Sequence, residues 1–327
     1  MRMKKLLAFL FALAMLASLS VTALAADAEL TLEDVYAAAL DAKAAAQKAL
    51  DAQAIQNVMS RHIMYHCYGE HAEEMEELWV QEPANQATAT FAMNMGYEVG
   101  YDYIWEFYVT LHDSGWLSDA KKWCENNGVD ISGMTDEEIL DTYGGVGQLL
   151  LHVITTAIIE VADDGLTAKG YWYTPGMLKQ TGDDPAQTMW ENYGADFVKE
   201  DGEWKLWHLH MYTDFQCEFG DTFTKSTTTA ASVEAGGTRI SPVDFASSEE
   251  PASSGETGGA YGPGGAINES TYTMWSPSRL RSEMEIIPIP VPYEPWDFSE
   301  PNYGVTIEQY ESLGIDVNDW YAAHGLS

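Results

Sequence analysis

An α+β fold is predicted by one change of periodicity and two turn signals. Ahead of about Gly147 the apolar residues recur at helical spacing, and beyond it they alternate as strands do. Asp164-Gly165 separates residues 157–161 from 166–173, and Asp201-Gly202 separates 188–198 from 203–215. An Asp-Gly pair between apolar runs marks a hairpin, because both residues accept the positive φ of a tight two-residue turn. Helices therefore come first, followed by an antiparallel meander of about four strands.

Residues 31–66 read as one helix. Thr31 can cap it, Glu33 and Asp34 suit its positive end, and its Ala/Leu/Lys/Gln run has high helix propensity. Ile55, Val58, Met59 and Ile63 then mark a buried face. Residues 71–79 predict a second short helix and the aromatic-rich 97–112 a third. Residues 114–143 read as an insertion, with a helix begun near Thr135. Past Phe223 the composition turns to Ser, Thr, Gly, Ala and Glu, which predicts a disordered linker over 224–270. In 271–327 the run Ile287-Pro288-Ile289-Pro290-Val291-Pro292 must be extended, since alternate prolines forbid helix and ladder alike. Too short for a core of its own, this segment is expected to lie on the main domain, taken as 51–223, or on a partner. No internal repeat is visible.

The amino terminus reads as a secretory leader. Met1 to Lys5 are basic, residues 6–17 are apolar, and Ala23-Leu24-Ala25 forms a cleavage pattern, so residues 1–25 are expected to leave and 26–50 to form a helical extension. The expected location is secreted or in the cell envelope, with no membrane anchor in the mature form. Loss of Arg2, Lys4 and Lys5 takes the net charge from −35 to −38. So acidic a surface repels nucleic acid and anionic lipid, and no calcium-loop spacing accompanies it. Cys67, Cys124 and Cys217 leave two states open, one bridge with one thiol or no bridge.

Two motifs resemble a known family. His152 with the run Ile159-Glu160-Val161-Ala162-Asp163-Asp164-Gly165-Leu166-Thr167-Ala168-Lys169-Gly170-Tyr171-Trp172 resembles the central hairpin of SnoaL-like proteins. Asp201-Gly202-Glu203-Trp204-Lys205-Leu206-Trp207-His208 resembles their last hairpin, and residues 54–68 and 73–79 stand where the family places its first two helices. This is the scytalone dehydratase, bile-acid 7-alpha-dehydratase and polyketide cyclase group within the nuclear transport factor 2-like superfamily. The resemblance, over roughly residues 50–217, implies a curved antiparallel sheet wrapped by N-terminal helices to form a cone-shaped apolar pocket. It also implies pocket histidines, tyrosines and acids that move protons without metal or organic cofactor. The stretch Tyr65-His66-Cys67-Tyr68-Gly69-Glu70 supplies tyrosine where the dehydratases use tyrosine and aspartate, but no aspartate.

Candidate residues follow from spacing and from this resemblance. Strict alternation puts Trp204, Leu206, His208, His210 and Tyr212 on one strand face and Lys205, Trp207, Leu209 and Met211 on the other. The family's signature turns the first set inward, and the second, too apolar for water, is left for a homodimer partner or the proline-rich tail. His62 and His66 share a helix face, with Tyr65 beside it. His152, His208 and Tyr65 are thus candidate catalytic groups, and His62, His66, His210, Trp172, Trp190 and Tyr193 candidate pocket residues. Histidine titrates near neutrality and can take a proton from carbon, while a tyrosine hydroxyl can polarise a carbonyl. No metal or cofactor is expected, although the His62/His66 spacing also fits a metal pair or plain packing.

Three functions remain open on sequence: a cofactor-independent lyase or isomerase acting on a small apolar cyclic molecule, a binding protein of the same fold without chemistry, and a structural module. If the leader is read correctly, the protein recovered from its own host will have an intact mass corresponding to a first residue of Ala26.

Overall fold

The computed structural model describes residues 31–181, 185–219, 263–275, 279–283 and 285–326. The expected leader, 1–25, and positions 224–262 of the expected linker lie outside the described residues. Two compact units are distinguished, residues 1–47 and 48–327. Of the first, the described part is the opening of helix α1 (Leu32–Tyr68), which is exposed throughout. The Thr31 hydroxyl accepts from the Asp34 amide (3.1 Å) and the Asp34 carboxylate from the Thr31 amide (2.8 Å), a reciprocal cap.

In the second unit α1 turns amphipathic, burying Asp51, Ile55, Met59, His62 and Ile63 on one face. Gly69 ends it at φ +79°, where a Cβ would sit 1.9 Å from the Trp116 ring, so only glycine fits. Helices α2 (His71–Leu78) and α3 (Pro83–Thr88) follow, then strands β1 (Thr90–Met93) and β2 (Gly96–Val99). Next comes a continuous helical stretch: α4 (Tyr101–Trp105), a π turn (Glu106–Thr110) and α5 (Leu111–Asn127). The helix expected over 97–112 thus starts late, because Gly96–Val99 pairs antiparallel with β1 as a strand. Nor is residue 114 the start of a separate insertion, since α5 runs through it unbroken. Thr135 does cap a helix, α6 (Asp136–Tyr143), through a full capping box with Glu138.

Strands β3 (Leu149–His152), β4 (Thr155–Val161), β5 (Thr167–Lys179), β6 (Gln187–Glu200) and β7 (Glu203–Glu218) complete an open, curved sheet with β8 (Gly265–Ile267). The order is β3-β5-β6-β7-β1-β2-β8, with β4 also on β5. The meander is antiparallel as read, and Asp201 and Gly202 have the positive φ values of its last turn (+49° and +85°). The sheet as a whole is mixed, a correction to the antiparallel reading. β1 runs parallel to β7, and its distance from β7 in sequence kept that pairing out of any local pattern. β8, on the edge of β2, is built from the end of the stretch read as linker.

A bulge overturns the alternation read into β7. Phe197 pairs with Leu206 and Asp196 with His208, so Trp207 is an extra residue opposite one step of β6. Trp204 and Leu206 face α1, with the Trp204 indole donating to Asp51 (2.9 Å). Beyond the bulge the parity is reversed. Leu209, Met211 and Thr213 take the inner, α1-facing side, whereas His208, His210 and Tyr212 face outward.

The outer side is covered by the C-terminal segment. Trp207 meets Trp296 (4.7 Å between ring centres), Phe298 (5.6 Å) and Trp320 (5.0 Å, nearly parallel). Trp320 belongs to α8 (Val317–Ala323), which follows α7 (Ile307–Ser312). At Gly194 a Cβ would be 2.1 Å from Tyr303, which seats directly on the strand. The apolar face around Trp207 is therefore occupied by the chain's own tail, one of the two covers expected for it from sequence.

Trp320 is fully buried and donates to Asn85 Oδ1 (2.8 Å), tying the tail to α3. Trp320→Ala should cost about 3–5 kcal/mol of folding free energy, read from the denaturant midpoint. A loss below about 1 kcal/mol would show that the tail is not part of the core.

Candidate active site

Five of the eight histidines meet between α1, α2, α5 and the inner side of the sheet. His62 and His66 stand one turn apart on α1 and stack at 6.0 Å. His71, the first residue of α2, lies 5.4 Å from His66 and 4.6 Å from His112 of α5. His152, at the end of β3, lies 5.5 Å from His66. Tyr108 and Tyr193 complete the group, Tyr193 standing 5.9 Å from His62 and 6.4 Å from His152. The π turn delivers Tyr108, whose hydroxyl is 3.0 Å from His66 Nδ1. Such turns recur at functional sites because they rotate side chains out of helical register.

Two buried carboxylates hold the outer members of the cluster. Glu74 Oε1 lies 2.7 Å from His62 Nδ1 and also accepts from the Trp79 indole (3.2 Å). Both His62 and Glu74 side chains are fully buried. Glu191 lies 3.4 Å from His152 Nδ1 and is held from its other oxygen by the Thr213 hydroxyl (3.0 Å). Unpartnered atoms are concentrated here: His62 Nε2, both nitrogens of His71, Glu74 Oε2 and His152 Nδ1 are buried without a hydrogen-bond partner. Each such atom costs on the order of 1–3 kcal/mol.

Burial keeps three of the five histidines and both tyrosines uncharged. Burial, and then the neighbouring His71, His152, His62 and His112 rings, holds His66 well below the ordinary histidine value. Burial, then His112 and His62, does the same to His71, and burial lowers His112. Burial pushes the Tyr108 and Tyr193 hydroxyls far above their usual range, with Glu74 adding to the first and Glu191 to the second. The two tyrosines therefore stay protonated and can donate, while the imidazoles of His66, His71 and His112 stay neutral and can accept. Among the described residues no group of three His, Cys, Asp or Glu side chains is placed to hold a metal ion. The three cysteines are free thiols, and burial raises the Cys67 thiol.

Of the residues singled out from sequence, the structure gathers His62, His66, His152 and Tyr193. It does not gather Tyr65, whose hydroxyl donates to Glu77 (2.6 Å) and accepts from Arg61 (3.0 Å). Tyr65 and His66 are one residue apart, about 100° around the helix, so only one of them can face the cluster. His208 and His210 lie beneath the tail, on the far side of the sheet. His208 Nδ1 is 2.8 Å from Asp196, and His210 Nε2 is 2.9 Å from the Thr271 hydroxyl. Trp172 is core, donating to Gln56 of α1 (2.9 Å), and Trp190 packs on Tyr173 at the outer side. His71, Glu74, Tyr108, His112 and Glu191 were missed. A histidine at i+4 from Tyr108, in His112, was the one local signal available.

The neutral histidines fix a pH dependence. Burial lowers His66, His71, His112, His208 and His210, the last to about 3. The unfolded chain takes up protons at these sites as pH falls through about 6.5, and the folded chain does not. Stability is then unaffected above that pH and falls below it, by up to about 1.4 kcal/mol per pH unit for each histidine. Denaturant midpoints measured from about pH 7.5 to 5.5 should drop steeply below 6.5, and a flat profile would contradict the neutral cluster.

Comparisons with known proteins bear on the sheet half of this site. Residues 115–210 match the family model described as a SnoaL-like domain. That span holds Trp116, His152, Glu191 and Tyr193, whereas His62, His66, His71 and Glu74 precede it. No curated protein matches the chain. Among solved structures, a nuclear transport factor 2-like superfamily protein from Salmonella enterica serovar Typhimurium is 15% identical over 53% of this chain and 98% of its own, with a TM-score of 0.35. A hexachlorocyclohexane dehydrochlorinase, LinA-type3, from Novosphingobium barchaimii is 13% identical over 52% of this chain and 90% of its own, with a TM-score of 0.33. An ntf2-like protein with a cystatin-like fold from Novosphingobium aromaticivorans is 13% identical over 63% and 97%, with a TM-score of 0.32. Residues 115–210, which hold strands β3 to β6 and the first part of β7, are thus similar to a SnoaL-like domain.

Proposed function

We propose that the histidine cluster is the active site of an exported, cofactor-independent lyase or isomerase that moves a proton on a small, largely apolar cyclic molecule bearing oxygen. The observation that carries this reading is the His62–Glu74 pair: Nδ1 sits 2.7 Å from a carboxylate, and Nε2 is buried and unpartnered. A carboxylate on one ring nitrogen orients the imidazole and leaves the other nitrogen as a base. It also stabilises the imidazolium that forms when the base takes a proton.

The step is an elimination or its isomerising equivalent. His62 Nε2 takes the proton beside a carbonyl, and the carbon's electron pair becomes the new double bond. The leaving hydroxyl departs as water with a proton supplied by a protonated tyrosine, Tyr108 or Tyr193. Once product has left, the imidazolium gives its proton to water and the tyrosinate takes one from water, so the site is reset. In the isomerising version the same proton returns to a different carbon. A tyrosine hydroxyl facing the developing enolate oxygen supports either path. The aromatic rings of Tyr108, Trp116 and Tyr193 beside the histidines suit packing against a ring-shaped substrate.

Native mass spectrometry on protein from its own host identifies the bound molecule, which then serves as substrate. His62→Gln should lower kcat by about 10²–10⁴ while the ligand's mass is still retained. Equal turnover in both proteins would remove His62 from the chemistry, and retention without any turnover in the wild type would make this a binding protein.

A further inference from the structure

We infer that His71 is a ligand-contacting residue of this site, reading a hydroxyl on the bound ring. It is 2% exposed, yet both its nitrogens lack a hydrogen-bond partner. A neutral imidazole carries one donor and one acceptor, and a core that needed only volume here would use phenylalanine or leucine. An imidazole left in this state lowers stability and is retained where function requires it. The inference rests on the cluster being the ligand site.

The surroundings of His71 specify what it can recognise. From the helices, His66, His112, Tyr108 and Trp116 pack against it at ring separations of 5.4, 4.6, 5.2 and 5.7 Å. None of the four offers it a hydrogen bond. His66 is engaged at Nδ1 by Tyr108, and His112 Nδ1 sits 3.3 Å from the Phe107 carbonyl. His71 is therefore a polar point in an aromatic setting. The half-buried Trp116 ring lies against it and against Gly69. Such a setting takes a flat or saturated ring by packing and one uncharged hydroxyl by hydrogen bonding. A carboxylate or phosphate has no cation here to meet it, because His66, His71 and His112 are held neutral. His71 and the His62–Glu74 pair then have separate tasks, His71 fixing the ring's orientation and His62 moving the proton.

Phenol and benzene differ by the one group at issue, and their binding to the full-length protein can be followed by ligand-observed NMR. The wild type should prefer phenol by about tenfold, the worth of one hydrogen bond to a buried partner. In His71→Phe the preference should vanish while benzene still binds, and the thermal midpoint should rise. A phenol preference that survives in His71→Phe overturns the assignment of His71, whatever the midpoint does, and leaves the His62 chemistry standing. If the wild type binds neither probe, the cluster is not a ligand site and both readings fall. Should His71→Phe fold poorly, His71→Leu gives the same comparison with a smaller side chain, and a lost preference with benzene binding intact again supports the proposal.

Discussion

The extra residue in β7 decides which side of the sheet does what. With Trp207 bulged opposite the Asp196–Phe197 step, two successive aromatic rings, Trp207 and His208, project outward and stack at 4.1 Å. Strict pleating would have pointed one of them into the helices. Both faces follow from this. The outer face becomes a platform of Trp207, His208, His210 and Tyr212 on which the tail is laid, and the Tyr303 amide donates to Asp196 (2.7 Å) beside His208. The inner face, freed of two histidines, presents Leu209, Met211 and Thr213, and through Thr213 it steadies Glu191 under His152. A bulge increases twist as well as reversing parity, which suits a sheet that curls around helices.

The two sides spend their buried polar groups differently. Beneath the tail His208 has partners at both nitrogens: Asp196 on Nδ1, and Tyr310 and the Thr88 carbonyl around Nε2 (each 3.2 Å). Satisfied networks of this kind specify packing. On the inner side the same residue type is left with bare nitrogens next to carboxylates and tyrosines, an arrangement that a structural core avoids. Buried histidine is thus structural on one face and unfulfilled on the other. The difference in hydrogen bonding, more than the number of histidines, locates the candidate site.

How much of this could be read from the sequence depended on the range of the forces involved. Local chemistry was legible. Thr31 and Thr135 cap helices, Asp201-Gly202 turns the last hairpin, and His62 and His66 share a face because 3.6 residues make a turn. Pairings distant in sequence were not. The parallel seat of β1 beside β7 joins residues about 118 positions apart, Thr90 to His208, and no periodicity encodes it. The bulge was invisible for a related reason: Leu206-Trp207-His208 alternates acceptably on paper, and only the partner strand shows that one residue is unpaired. His208 and His210 were placed inward on that account. Glu74 looked like one more acid on a helix with Glu73, Glu76 and Glu77, until its i+12 relation to His62 across the α1–α2 corner gave it a partner.

The division of the site between matched and unmatched sequence bears on how its chemistry should be reasoned about. The SnoaL-like span begins at residue 115, and from it come strands β3 to β6, the first part of β7, Trp116, His152, Glu191 and Tyr193. The proposed base, its carboxylate and His71 all come from α1 and α2, ahead of that span. A fold match therefore accounts for a wall and a floor but not for the group that takes the proton. The carboxylate beside His62 belongs to Glu74 of the next helix. The pair therefore depends on the α1–α2 corner, and that corner is shaped by Gly69 against Trp116. The geometry of the His62–Glu74 pair and the packing around His71 are then set by the same turn, through Gly69 and its positive φ.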